Sequence, residues 1–255
     1  MSDPRVRLEV RGEVAEIVFS CPPVNALSQQ FIDEMNEAID RIPPKTRAVA
    51  VTSDVERVFM AGADIAFMSG ASLEEGGEYL RSVQRTFRRM EQLDPPAVAG
   101  IDGACLGGGL EFALTCDIRI VSEQALLGLP EVTLGILAAA GGTQRLVRAI
   151  GQGVARDLLL SGRRISGSEA VEIGLASRLV PKGTAGETAR ELAAELAAGA
   201  KEAIQATKRL ALAASENSIE SGLNQEWSEW MQVRRSENAQ EGLTAFLEKR
   251  DPRFS

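Results

Sequence analysis

The sequence predicts an α/β fold with parallel strand pairing. Two observations carry this. Short strand-like segments recur over the first two-thirds of the chain (Ala48–Thr52, Val98–Ile101 and Asp117–Val121 among them), and segments of helical periodicity separate them; parallel strands need such crossovers. From Thr184 onward the pattern is rich in Ala, Leu and Glu and almost wholly helical. The shift near 183–200 is the best domain boundary. It predicts a core over residues 1–195 and a helical C-terminal region over 196–255.

Taken in order, Val6 to Phe19 alternates loosely around Arg11-Gly12-Glu13 and reads as a β-hairpin. Pro22-Pro23 makes Cys21–Leu27 a loop. Ser28 caps a helix whose apolar residues Phe31, Met35, Ile39 and Ile42 fall three or four apart, and Pro43-Pro44 stops it. Ala48–Thr52 is a buried strand. Val58–Ile65 is a strand end that runs into a small-residue turn, with Asp64 placed to cap the next segment. Leu80, Val83, Phe87 and Met90 mark one face of an amphipathic helix that Pro95-Pro96 ends. That face, with Phe67, is either plain core or the lining of an apolar pocket. Asp117–Val121 is a short strand, and Ala125–Val132 carries Glu131. A small-residue loop spans Gly135–Gly142, and helices come next at Thr143–Ile150, Val154–Leu160 and Ser166 to about Gly174. Leu179-Val180-Pro181 is the last strand. The terminal helices break at Gly199, near Asn217-Ser218 and near Asn238. Trp227 and Trp230 are expected to anchor an interface or a core.

Composition excludes several functions. The 255 residues are 44% hydrophobic with a net charge of -8, enough for one sizeable core and too acidic for nucleic acid to be the main partner. No apolar run approaches a membrane span. Met1-Ser2-Asp3-Pro4-Arg5 leads straight toward a strand without a signal-peptide core, so a cytoplasmic protein is expected. The absence of histidine rules out a Ser-His-Asp triad, a Cys-His pair and any His-ligated metal. Cys21, Cys105 and Cys116 lack CxxC spacing and sit among apolar residues, as inert buried thiols do.

The stretch around which the chain is organised is Val98–Asp117, VAGIDGACLGGGLEFALTCD. A strand end meets Gly107-Gly108-Gly109, and a buried helix comes after it. Glycines let backbone turn tightly and approach a ligand. A helix start directs free N–H groups into that turn, which suits a developing negative charge. Glu111, in the first helical turn, is then either a helix-terminal charge or a catalytic group aimed at the same spot.

These pieces resemble the enoyl-CoA hydratase/isomerase (crotonase) family. The matches are Asn25-Ala26-Leu27, Phe59 with Ala61-Gly62-Ala63-Asp64-Ile65, Gly103 to Glu111, Pro130-Glu131, Gly141-Gly142-Thr143-Gln144-Arg145-Leu146 and Phe246-Leu247-Glu248-Lys249-Arg250. They come in the family's order across nearly the whole chain. The resemblance implies a superhelix of repeated strand-strand-helix turns and a helical C-terminal region that packs on neighbouring subunits, in homotrimers that often pair into hexamers. It implies an acyl-CoA thioester substrate and no separate cofactor or metal. The thioester carbonyl would lie between the backbone N–H groups of Ala63 and Gly108. Ala26, Ala61, Gly62, Asp64, Ile65 and Ala66 would face the CoA moiety. Glu111 and Glu131 match the two glutamates that hydratases use, one to take a proton from water and the other to protonate the α-carbon. Isomerases of this fold typically rely on one carboxylate, so the pair favours hydration of a 2-enoyl-CoA. An isomerase and a non-catalytic acyl-CoA-binding relative are the alternatives.

Two departures stand out. Leu137-Ala138-Ala139 replaces the common Ile-Pro-Gly in the loop beside the glutamates, and Ala139 adds a methyl group there. Ala66-Phe67 replaces a lysine often found after Ala-Asp-Ile, which removes one cationic contact to the CoA phosphates. Arg57 and Lys249 are candidates to replace it.

Overall fold

The structure is a computed structural model that describes residues 4–255; Met1, Ser2 and Asp3, the first part of the expected lead into the hairpin, lie outside the described residues. The chain opens with antiparallel β1 (Val6–Arg11) and β2 (Val14–Phe19), Val6 opposite Phe19, as the alternation around Gly12 predicts. Helix α1 (Gln29–Asp40) starts at Ser28, whose hydroxyl accepts from the Phe31 amide at 3.2 Å. From there the chain climbs in repeated turns, each adding one strand to each of two sheets. The pairs are β3 (Ala48–Ser53) with β4 (Val58–Ala61), β5 (Ala97–Ile101) with β6 (Ala104–Leu106), and β7 (Ile118–Ser122) with β8 (Leu126–Gly128). The larger sheet runs β1-β2-β3-β5-β7-β10, with β10 at Arg178–Val180. The smaller runs β4-β6-β8-β9, with β9 at Ile165–Ser166. All pairings after the hairpin are parallel except β8 with β9. This is the staircase of strand-strand-helix turns that the family resemblance implies.

Helices fill the crossovers. They are α2 (Ile65–Gly70), α3 (Leu73–Glu91), α4 (Gly108–Ala113), α5 (Gly142–Ile150), α6 (Gln152–Ser161) and α7 (Gly167–Glu172). The main core lies between the sheets and these helices. Its centre is aromatic: Phe112 on α4 meets Phe19, Phe59 and Phe87 with ring centroids 5.3, 6.5 and 5.4 Å away. Val83, Phe87 and Met90 are buried in this cluster, so plain core is the reading that holds for them. Phe67 is 42% exposed and packs its ring on Tyr79 instead.

Helix α8 (Ala185–Ala197) covers the other face of the larger sheet. There Ala48, Ala50, Val98 and Ile120 pack on Ala185, Ala189, Leu192 and Ala193. Small strand residues let the helix come close. Its start is held by Asp102, whose carboxylate accepts from the Gly183 and Ala185 amides at 2.9 and 3.0 Å. Helices α9 (Lys201–Ala213), α10 (Ile219–Val233) and α11 (Glu237–Glu248) complete the chain. Buried Lys208 of α9 pairs with Asp117 at 2.8 Å and donates to the Pro95 carbonyl, which ties α9 to the sheet end. The break expected near Asn238 lies at Ser236, which caps α11; Asn238 is a buried residue of that helix. Trp227 and Trp230 are 67% and 59% exposed on α10, so neither anchors this chain's own core. No helix among the described residues is long and apolar enough to cross a membrane.

Because Phe112 joins the aromatic centre to the helix that carries Glu111, Phe112→Ala should lower the unfolding free energy by about 3–5 kcal/mol. Denaturant titration against the unsubstituted protein measures this.

Candidate active site

The site begins with two paired strand ends. β4 and β6 run parallel with Ala61 opposite Leu106. Both chains then leave the sheet through glycines with positive φ, Gly62 at 92° and Gly107 at 54°. Ala63 and Gly108 come soon after on the two chains, and a methyl group at Gly108 would lie 3.8 Å from the Gly62 carbonyl carbon. Ala63 also forms an isolated parallel bridge with Leu27, whose amide donates to the Gly62 carbonyl at 3.1 Å. In a bridge of this kind the residues flanking Ala63 carry the bonds, so the Ala63 amide faces away from Leu27 and toward the β6 side. Gly108 is the first residue of α4, where an amide has no partner within the helix. Among the described residues, neither amide donates to a protein acceptor.

The loop before Leu27 is fixed by Asn25, a residue matched in sequence but given no role there. Asn25 is fully buried with φ at 51°. Its side-chain oxygen accepts from the Cys21 amide at 2.7 Å, and its nitrogen donates to Ser53 and to the Phe59 carbonyl at 2.9 and 2.8 Å. The Tyr79 hydroxyl donates to the Leu27 carbonyl. Loop and strand end are thereby locked together.

Glu111 lies in the first turn of α4 and is 3% exposed. Its Oε1 accepts from the Gly142 amide at 2.7 Å. A methyl group at Gly142 would come within 2.9 Å of that oxygen, so glycine is required for the approach. Burial pushes the Glu111 carboxyl up to about 7; the Gly142 amide opposes this, nearby Glu131 adds to it, and the Ala140 amide and Arg145 oppose it.

Glu131 sits in a 3-10 turn, Pro130–Leu134, within the segment that carries it in the sequence. Its carboxyl reaches back over the glycine turn: a methyl group at Gly107 would lie 3.0 Å from Glu131 Oε1. Burial raises its pKa against a hydrogen bond from its own backbone. Its Oε2 is buried and has no hydrogen-bond partner. A buried carboxylate oxygen without a donor is a place for a polar guest.

The fold therefore gathers Gly62-Ala63, Gly107-Gly108, Glu111 and Glu131 in one place, with Ala61 and Ala26 on the segments leading into it. Asp64 caps α2 by accepting from the Phe67 amide at 3.0 Å. Ile65 and Ala66 are exposed on α2, away from the carboxyls' hydrogen bonds. Arg57 pairs with Glu56, and Lys249 is the left-handed C-cap of α11. In the departing loop, Leu137 and Ala138 line an apolar cavity of about 290 Å³ with Leu129, Val132 and Leu159. The Ala139 carbonyl accepts from the Gln84 side chain at 2.7 Å. Among the described residues no three His, Cys, Asp or Glu side chains cluster as metal ligands would.

A sequence model of the family described as enoyl-CoA hydratase/isomerase matches residues 9–255. The chain belongs to the enoyl-CoA hydratase/isomerase family. Among relatives, it is 36% identical over 248 residues to the short-chain-enoyl-CoA hydratase of Clostridium acetobutylicum, covering 96% of this chain and 95% of that protein. It is 33% identical to the crotonyl-CoA hydratase of Syntrophomonas wolfei, over 100% and 99% of the two chains. The crystal structure of a Geobacillus kaustophilus enoyl-CoA hydratase superposes with a TM-score of 0.95 at 36% identity, covering 100% of this chain and 98% of that one. As in other members of the crotonase fold, the mixed α/β body carries a helical C-terminal region.

The raised Glu111 carboxyl has a sign that stability can read. A folded-state pKa above the unfolded value means that folding retains a proton, so stability falls as pH rises from about 4.5 to about 7. At about 1.4 kcal/mol per pKa unit the penalty above pH 7 is on the order of 3 kcal/mol. Glu111→Gln should raise the melting temperature at pH 8 and leave it little changed near pH 4.5, as a thermal scan across pH will show.

Proposed function

We propose that the protein hydrates 2-enoyl-CoA thioesters, adding water across the 2,3 double bond to give 3-hydroxyacyl-CoA. The observation that carries this reading is the buried, unpartnered Glu131 oxygen beside a second buried carboxyl, next to two amides without protein acceptors. The thioester carbonyl binds between the Ala63 and Gly108 N–H groups. As charge builds on its oxygen, each donor contributes about 3–4 kcal/mol to the transition state. Ionised Glu111 takes a proton from a water held between the carboxyls, and the water oxygen bonds to C3. The π electrons move to C2, which takes a proton from neutral Glu131. Two acids in one dry site do not both ionise easily, so one carboxyl of the pair keeps its proton while the other is ionised; the match of Glu111 to the family's first glutamate assigns it the part of base. CoA is the handle of the substrate, and no separate cofactor takes part. The exposed Trp227 and Trp230 support the further proposal that α10 packs on other copies of the chain in a homotrimer or hexamer.

The test is an assay of the purified protein with 2-enoyl-CoA thioesters of increasing length, following loss of the conjugated-thioester absorbance. Glu111→Gln and Glu131→Gln should each lower kcat by about 10²–10⁴-fold, as loss of a positioned acid or base does. Wild-type rates in both variants would refute the two-carboxylate mechanism. Faster conversion of a 3-enoyl-CoA than of its 2-enoyl isomer would assign the site to isomerisation instead.

A further inference from the structure

The Glu111 carboxyl depends on one loop, and that loop is held from behind. Gly142, which donates to Glu111, ends a turn that runs from Ala139. Gln84 of α3 donates from Nε2 to the Ala139 carbonyl at 2.7 Å. Arg145 of α5 donates from Nη1 to the Ala140 carbonyl at 3.1 Å. The same guanidinium forks onto Glu91 of α3, Nε to Oε1 at 2.7 Å and Nη2 to Oε2 at 3.2 Å. Glu91 also takes Arg88 at 2.8 Å. Both partners of the fork are largely buried, with side chains 16% and 12% exposed. Gly141, with φ at 115°, lies so close that a methyl group there would meet Arg145 Nη1 at 2.0 Å. The fork is thus pressed against the turn.

We propose that Gln84, Glu91 and Arg145 are positioning residues that clamp the 139–142 turn to α3 and so hold the Gly142 amide on the Glu111 carboxylate. None of the three hydrogen-bonds Glu111 itself. The functional meaning rests on the reading of Glu111 as the base that takes the proton from water. The chemistry comes from the donor. An amide held at 2.7 Å favours the ionised carboxyl, and an amide free to drift does not. Charged groups that face Glu111 are Glu131 from the 3-10 turn, Arg145 from α5 and, when ionised, Tyr79 from α3. Arg145 therefore acts twice, through the turn and through its charge. Gln84 acts through the turn alone, which allows the two effects to be separated.

The test is the titration of the Glu111 carboxyl carbon by NMR in glutamate-labelled protein, the resonance being assigned by its loss in Glu111→Gln. The acidic limb of kcat/KM is read alongside. Loss of the clamp should raise the pKa and move the limb to higher pH, by about one unit in Arg145→Gln and by a smaller upward step in Gln84→Ala. Arg145→Lys keeps the charge but cannot fork between Glu91 and Ala140, so it should still shift the pKa upward. Unmoved titrations in folded Gln84→Ala and Arg145→Lys would overturn the proposal, even if activity fell at every pH. Should Arg145→Gln fail to fold, Gln84→Ala, an exposed substitution, decides alone. The NMR readout needs no turnover. A shifted pKa in a protein that hydrates no enoyl-CoA would sustain the clamp and refute the hydratase reading.

Discussion

The parallel pairing of β4 with β6 is the constraint on which the rest of the site depends. With Ala61 opposite Leu106, the two chains leave the small sheet side by side. Ala63 and Gly108 come soon after, one turned away from its Leu27 bridge and the other at a helix start. Helix α4 begins at that point, so its first turn brings Glu111 to the same place. A one-residue slip in that register would reverse which backbone groups face the site. The aromatic cluster under α4 and the Asn25 and Tyr79 bonds to the Leu27 loop all serve to prevent such a slip.

Burial sets the electrostatics of the site. Glu111 and Glu131 are both raised because water is excluded, and each is placed by backbone that has no side chain in the way. Between the two carboxyls, the one buried oxygen left without a donor among the described residues belongs to Glu131, and the proposed reaction places its water there.

Much of the scaffold was legible in the sequence because its elements are long enough to show a period. The hairpin, α1 and α3 each repeat their pattern several times, and the glycine triplet marks the turn. The second sheet was not legible: β6 and β8 have three residues each and β9 has two, too few to show alternation. At the site, the glutamates and the amide-bearing glycines stood out through their neighbours in the chain. The Glu111–Gly142 bond joins positions far apart in sequence and leaves no local trace, although both residues lie within motifs that were singled out. The same holds for Gln84 and Arg145, whose bonds to the turn go to main-chain carbonyls that any residue could supply. The tryptophans of α10 are exposed, so this chain's own core does not use them.

The proposed reaction needs two main-chain amides to grip a thioester carbonyl. Isotope-edited infrared spectroscopy of a carbonyl-labelled acyl-CoA bound to the protein tests this directly. The carbonyl stretch should fall well below its position in water, and Ala63→Pro, which removes one donor, should return part of the shift. A bound carbonyl that absorbs where the free thioester does would contradict the account.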